Sequence, residues 1–159
     1  MVLFSAPPLA GCMGGAPRDT GSGPVAWSFA DTEGNVHSNA TAAGEPALLF
    51  FMASWCGTCR GKTPMLARVH ADWSHRASFY SIAFDGSDNR ETLERWKRQN
   101  ANPWPHGTDA GFAVQRAFGI TSQSSVVVIG PDGTIVQKWG YGTADEGGLR
   151  AALTRASAG

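Results

Sequence analysis

An uninterrupted apolar run, Ala47 to Met52, is followed after Ala53-Ser54-Trp55 by Cys56-Gly57-Thr58-Cys59. Such a run suits a strand buried on both faces. Beyond the second cysteine, Met65, Val69 and Trp73 recur at four-residue spacing, with Leu66 on the same face. That pattern predicts an amphipathic helix of about 15 residues. The cysteine pair therefore stands where a buried strand turns into a helix. A strand of this kind needs partners on both edges and cover on both faces, so the rest of the chain must supply them.

It does so in sequence. Trp27–Asp31 and Val36–Ser38 flank Thr32-Glu33-Gly34-Asn35, a hairpin signal. Ser78 to Phe84 reads as a strand. Asp88 with Glu91 resembles a capping arrangement for a helix whose apolar face carries Leu93 and Trp96. Asn102-Pro103-Trp104-Pro105 interrupts the chain, and a short helix is expected from Phe112 to Phe118. Val126–Ile129 and Thr134–Trp139 read as strands joined by the turn Gly130-Pro131-Asp132-Gly133. Thr143 and Glu146 form a capping box before a stripe of Leu149, Ala152, Leu153 and Ala156. The expected class is α/β: a central mixed sheet flanked by helices on both faces, with an N-terminal β-hairpin extension. Trp27, Trp73, Trp96 and Trp139 fall on periodic apolar faces and are expected in the core. Trp104, between two prolines, is expected to be more exposed and to cover part of the site.

Charge and composition remove several function classes. Lys plus Arg is 13 and Asp plus Glu is 13, so the net charge is zero and no basic excess invites nucleic acid. No apolar run approaches the roughly 20 residues that span a bilayer. Three cysteines, Cys12, Cys56 and Cys59, are too few for a disulfide scaffold. The core must hold by packing, which leaves the cysteines for chemistry.

Residues 1–24 differ in character from residues 25–159. Residues 13–24 are rich in Gly, Pro, Ser and Thr and read as a flexible linker. Before them, Leu9-Ala10-Gly11-Cys12 resembles a bacterial lipobox, in which the chain is cut before a cysteine that then receives lipid. A secretory signal normally opens with basic residues, and none precedes Arg18. The expectation is a signal remnant with lipid on Cys12; the other reading is a tail with an incidental thiol.

Two cysteines at i and i+3 on a helix N-terminus can reach each other as a disulfide. The first sits where the helix dipole favours an anion, so its thiol should ionise below the free value of about 8.5. Cys56 is thus expected to be partly exposed and to act as nucleophile. Cys59, one turn in and more buried, is expected to act as the resolving thiol. Gly57 and Thr58 are small, which helps the turn accommodate the pair. The alternative is half of a zinc site, but a second pair of ligands is missing: His70 and His75 share no helical face well, and His37 and His106 lie far off in sequence.

The segment Gly44-Glu45-Pro46-Ala47-Leu48-Leu49-Phe50-Phe51-Met52-Ala53-Ser54-Trp55-Cys56-Gly57-Thr58-Cys59 resembles the thioredoxin superfamily. More narrowly it resembles the extracytoplasmic TlpA/ResA/DsbE-type thiol–disulfide oxidoreductases. Pro64 matches the proline that kinks the active-site helix there, and the Gly-Pro-Asp-Gly turn also fits. The resemblance covers about residues 25–157. It implies a thioredoxin-like fold with an insertion after the second core strand, and a setting outside the cytoplasmic membrane, often on an anchor.

Two positions depart from that pattern. The family's loop proline facing the cysteines is replaced, in Gln123-Ser124, by Ser124. A non-proline cis bond costs about 2.5–4 kcal/mol, so Ser124 is expected to be trans. Its hydroxyl is either a hydrogen-bond donor to a thiolate or an ordinary loop group. Lys62 stands where close relatives often carry a glutamate. An ammonium there would lower a thiolate pKa, although a solvent-facing lysine is the expectation. Asp85 follows a strand end, where a loop-starting role is expected rather than proton transfer. Trp55 is expected to shape the contact surface around Cys56, and Arg60 either interacts with the local field or is solvated.

The expected activity is thiol–disulfide exchange on cysteine-containing exported proteins, as a reductant fed by a membrane thiol donor, with no cofactor beyond the Cys56–Cys59 pair. Three alternatives stand beside it. A disulfide-forming oxidase would run the same chemistry in reverse. A Sco-like Cu(I) chaperone would use both thiolates and His106 as a distal ligand. A peroxide reductase is disfavoured, because its Pro-x-x-x-Thr-x-x-Cys pattern is absent.

Overall fold

The computed structural model describes residues 23–42 and 44–159. The lipobox-like segment and Cys12 lie outside the described residues. Seven strands form one sheet: β1 (Ser28–Asp31), β2 (Val36–Ser38), β3 (Ala47–Met52), β4 (Ser78–Ala83), β5 (His106–Thr108), β6 (Ser125–Ile129) and β7 (Ile135–Trp139). Four helices accompany them: α1 (Gly57–Trp73), α2 (Arg90–Asn100), α3 (Ala113–Phe118) and α4 (Glu146–Ser157). The sheet order is β2-β1-β5-β4-β3-β6-β7. β3, β4 and β5 are parallel, while β1, β6 and β7 pair antiparallel to their neighbours. The sheet is mixed, as expected.

β3 is the axis of the core. All six of its residues are buried, and the two-residue period of a strand sends them to opposite faces. Leu48, Phe50 and Met52 join Leu66, Val69 and Trp73 of α1, Leu93 and Trp96 of α2, and Leu149 and Leu153 of α4. Ala47, Leu49 and Phe51 face the other way, onto Val114 and Phe118 of α3 and onto Trp27 and Phe29. β6 repeats the division, Val126 and Val128 against Val127 and Ile129. Each fully buried Leu, Phe or Val stabilises the fold by roughly 1.5–3 kcal/mol before entropy is subtracted. The expected cover on both faces is present.

Three expectations need correction, and one strand carries no sequence signal. β5 has no periodic signal, because a three-residue strand is too short for one; it exists because β1 and β4 hold it on either side. Gly107 permits the β1 contact, since a Cβ there would lie 2.6 Å from the Phe29 ring. Trp104 is not an exposed cover: it is 3% exposed, and its Nε1 donates to Ser81 Oγ at 2.8 Å.

The other two corrections concern helix starts. α2 is capped by Asn89 with Thr92, each side chain bonding the other's backbone N–H, and not by Asp88 with Glu91. α4 is capped by Asp145, whose Oδ1 accepts from Gly148 N at 2.9 Å. Thr143 instead donates to Gly140 O at 3.0 Å, closing the preceding turn, and Glu146 is bound by Arg68 and Arg150. An Asn or Asp one or two residues nearer the helix outcompetes a cap set further back.

Candidate functional site

The site is assembled at the C-terminal end of the parallel strands, beyond central β3. β3 delivers Ala53-Ser54-Trp55, and Cys56 becomes the N-cap of α1 with extended backbone angles. Cys56 N donates to Ala53 O at 3.0 Å, which tightens the turn. Asp88 braces it from outside: its Oδ2 accepts from Ser54 N at 2.9 Å and its Oδ1 from Thr92 Oγ1 at 3.0 Å. This carboxylate is 5% exposed, so the buried acid links the cysteine turn to α2.

Cys56 and Cys59 are joined as a disulfide with Cα atoms 5.2 Å apart. Cys56 Sγ also accepts from Cys59 N at 3.1 Å. The first turn of α1 carries no acidic residue, so the positive end of the helix dipole is uncompensated there. A thiolate on Cys56 would sit against that end. Cys59 is fully buried, as expected. Cys56 is 3% exposed, and so is not the partly open residue expected. Its capping sulfur folds back over the helix end and joins the core cluster.

The residues between the cysteines act differently from expectation. Nothing lies within 4 Å of where a Gly57 Cβ would stand, so the turn makes no steric demand for glycine. Thr58 contributes a bond rather than smallness: Thr58 Oγ1 lies 2.7 Å from the Tyr141 hydroxyl. Tyr141 sits in the turn between β7 and α4. That turn is fastened twice more, by Gly142 N donating to Ser124 O at 2.9 Å and Lys62 Nζ donating to Ala144 O at 2.7 Å. Lys62 is therefore half-buried and engaged, not the solvent-facing lysine expected.

Trp55 is 58% exposed, yet its ring is anchored. Nε1 donates to Asp85 Oδ2 at 3.0 Å and to Ser87 Oγ at 3.1 Å. Burial would raise the Asp85 carboxyl, but donors from the Ser87 side chain and backbone and from Trp55 hold it below the ordinary carboxylate range. Asp85 is an ionised anchor that starts the loop by accepting from Ser87 N at 2.8 Å. Arg60 is exposed and places its guanidinium 5.8 Å from the Trp96 ring centre.

Pro64 lies within α1 and has no N–H for the Arg60 carbonyl. Thr63 Oγ1 takes that carbonyl at 2.8 Å, so the helix continues through the proline.

Opposite the motif, Ser125 pairs with Phe51, which brings Ser124 to the end of β3 nearest Cys56. No peptide bond among the described residues is cis, so Ser124 is trans as expected. Its φ is +60°, a conformation that favours glycine. It is 1% exposed, and its Oγ has no hydrogen-bond partner. Gln123 beside it is half-buried.

His106 is not brought to the cysteines. It lies on β5, two strands from β3, with Nδ1 2.8 Å from Trp104 O. Burial pushes its pKa down to about 4. Among the described residues no three His, Cys, Asp or Glu side chains converge as a metal site.

Asp88, Ser87 and Tyr141 were not singled out from the sequence as site residues. Asp88 carries a capping signal, and Tyr141 a trace, as an aromatic between two glycines.

The comparisons agree with this geometry. The model of the AhpC/TSA family matches residues 23–138. The mercury resistance operon ORF3 protein of Streptomyces lividans is 26% identical over 144 residues, covering 87% of this chain and 75% of that one. A putative thioredoxin from Neisseria meningitidis superposes with a TM-score of 0.74 at 26% identity, over 85% of this chain and 89% of that one. A secreted Mycobacterium tuberculosis disulfide oxidoreductase, described as homologous to E. coli DsbE, superposes with a TM-score of 0.68 at 21% identity, over 81% and 95%. The sheet is thioredoxin-like, the helix N-terminus carries a Cys-x-x-Cys disulfide as in a thiol–disulfide oxidoreductase, and the chain belongs to the AhpC/TSA family.

Proposed function

We propose that this protein reduces disulfides in exported proteins. The observation that carries the reading is Cys56 at the N-cap of α1, bonded to Cys59, with no acidic residue in the helix's first turn. In the reduced protein the Cys56 thiolate attacks one sulfur of a substrate disulfide. A mixed disulfide forms and one substrate thiolate leaves, to be protonated by solvent. Cys59 then loses its proton and attacks Cys56 Sγ, which releases the second substrate thiolate and closes the Cys56–Cys59 disulfide. A dithiol donor at the membrane returns two electrons and two protons to the pair.

The setting is extracytoplasmic. The secreted mycobacterial neighbour supports this, as does the Leu9-Ala10-Gly11-Cys12 segment, which would place the domain on a lipid anchor through Cys12. Among the described residues no helix is long and apolar enough to cross a membrane. The reductive direction rests on the Gly57-Thr58 dipeptide, which is unlike the Pro-His of strong oxidants.

The test is a redox titration followed by Trp fluorescence, which the disulfide beside Trp55 should quench. A reversible two-electron couple near about −270 mV supports the reductase, and one near about −120 mV reverses the direction. Absence of a couple, with stoichiometric Cu(I) retained by the reduced protein, moves the role to metal delivery.

A further inference from the structure

A small cavity adjoins the cysteine motif on the side of α2. Its volume is about 170 Å³, and it is lined by Ser54, Arg60, Thr92, Arg95, Trp96 and Gln99. The four α2 residues recur at helical spacing, so one face of that helix meets the start of α1. Arg60 ties the cavity to the nucleophile: its backbone N–H donates to Cys56 O at 3.1 Å.

The lining is rich in donors, and no carboxylate belongs to it. Arg60 forms no ion pair among the described residues. Its guanidinium lies over the Trp96 ring. Trp96 is buried, and its indole Nε1 has no hydrogen-bond partner among the described residues. A buried donor left in that state is costly, so an acceptor beside it is favoured. Arg95 spends only Nη2, on Glu91 Oε1 at 2.7 Å. Glu91 is well exposed, and an exposed i,i+4 pair of this kind contributes little. Asp88, the other acid close by, is turned to Ser54 N and Thr92 Oγ1.

We infer that this cavity is a subsite for a carboxylate of the substrate, carried by an Asp or Glu close to the reacting cysteine. The inference rests on the oxidoreductase reading and adds a charge preference to it. A guanidinium presents a planar fork of N–H groups that matches a carboxylate. Sites for drug-sized ligands run to about 300–1,000 Å³, so this one takes a single functional group. About one helical turn, 5.4 Å, separates Cys56 from Arg60 along α1, and two extended residues reach about 7 Å. The chain as a whole has no net charge, so a preference for acidic partners has to come from a local site.

The experiment uses two short peptides, acetylated and amidated at their ends, each with one cysteine held as a mixed disulfide with 2-thiopyridine. One carries Asp two residues to either side of the cysteine; the other carries Asn at both places. The reduced protein is freed of reductant and mixed with each peptide. The Cys56 thiolate attacks the peptide sulfur and expels pyridine-2-thiolate, which takes a proton and is followed by its absorbance. Cys59 then attacks Cys56 Sγ, which frees the peptide thiol and closes the disulfide. The wild-type protein is expected to react about fivefold faster with the Asp peptide. Arg60→Gln should erase most of that preference and Arg95→Gln part of it. Arg98→Gln, on α2 but outside the cavity, should keep it. Loss of a cation beside Cys59 slows both peptides alike, so the ratio is the readout. A wild-type protein without preference, an Arg60→Gln variant that keeps it in full, or an Arg98→Gln variant that loses it overturns the inference and leaves the oxidoreductase reading standing. Failure of the wild-type protein to release the thione from either peptide overturns that reading and the subsite with it.

Discussion

The buried carboxylate of Asp88 holds the backbone N–H of Ser54 at 2.9 Å, two residues before the first cysteine. The same group binds Thr92 Oγ1. Through it the first turn of α2 stiffens the strand-to-helix turn that aims Cys56.

Asp88→Ala leaves the Ser54 N–H without its acceptor and opens a small void. A loss of about 2–3 kcal/mol in urea unfolding is expected, because a hydrogen bond to a charged group is lost along with the satisfaction of a buried donor. Asp88→Asn keeps one acceptor and should lose less. Equal urea midpoints for the wild type and Asp88→Ala would show that the turn is held by other contacts.

Cys56 should titrate well below about 8.5, because its thiolate rests on an uncompensated helix end. Thiolate absorbance at 240 nm of the reduced protein measures this. Cys59→Ser should preserve the low value and accumulate mixed disulfide with substrate, whereas Cys56→Ser should form none. If Cys59 were the thiol that traps substrate, the order of attack would be reversed.

Ser124 combines a positive φ with an unpaired buried hydroxyl. Ser124→Gly relieves both and should stabilise the protein by about 1 kcal/mol in thermal or urea unfolding. Ser124→Pro should destabilise it, since a proline ring requires φ near −65°. A Gly variant less stable than wild type would mean that the hydroxyl has a partner when the protein is in solution.

Acid should weaken the fold in two stages. His106 falls from the ordinary 6.5 to about 4 because it is buried, so the unfolded chain binds its proton first. Stability present above pH 6.5 is therefore lost as pH falls towards 4, by roughly 3 kcal/mol at most. Asp31 acts lower. Burial would raise its carboxyl, but hydrogen bonds from His37, Asn35 and the Glu33 and Asn35 backbone bring it to about 2. Its contribution is present above pH 3.8 and fades towards 2. Urea midpoints from pH 7 to 4 should decline, and His106→Gln should flatten that slope; an unchanged slope would assign the decline to other groups.

Much of the framework was legible along the chain. β3 could be read because all six of its residues are apolar, and α1 because its buried residues recur at helical spacing. These signals are local: periodicity reports which side of an element faces the core, whatever that core turns out to be. The Cys-x-x-Cys pair was legible for the same reason, its chemistry being set by two residues and the helix that follows them.

What the sequence left open depends on partners remote along the chain. Asp88 meets Ser54 across 34 residues, and Thr58 meets Tyr141 across 83. Trp104 looked exposed because prolines flank it, until Ser81 on β4 offered its ring nitrogen an acceptor. β5 and the near-complete burial of Cys56 arise only once sheet and helices close around them. The sequence by itself determined the longer elements and the reactive pair, because short-range sterics, periodicity and the helix dipole act within a few residues. The tertiary structure alone decided which side chains frame that pair, because a hydrogen bond of about 3 Å is made only when distant segments are packed into register.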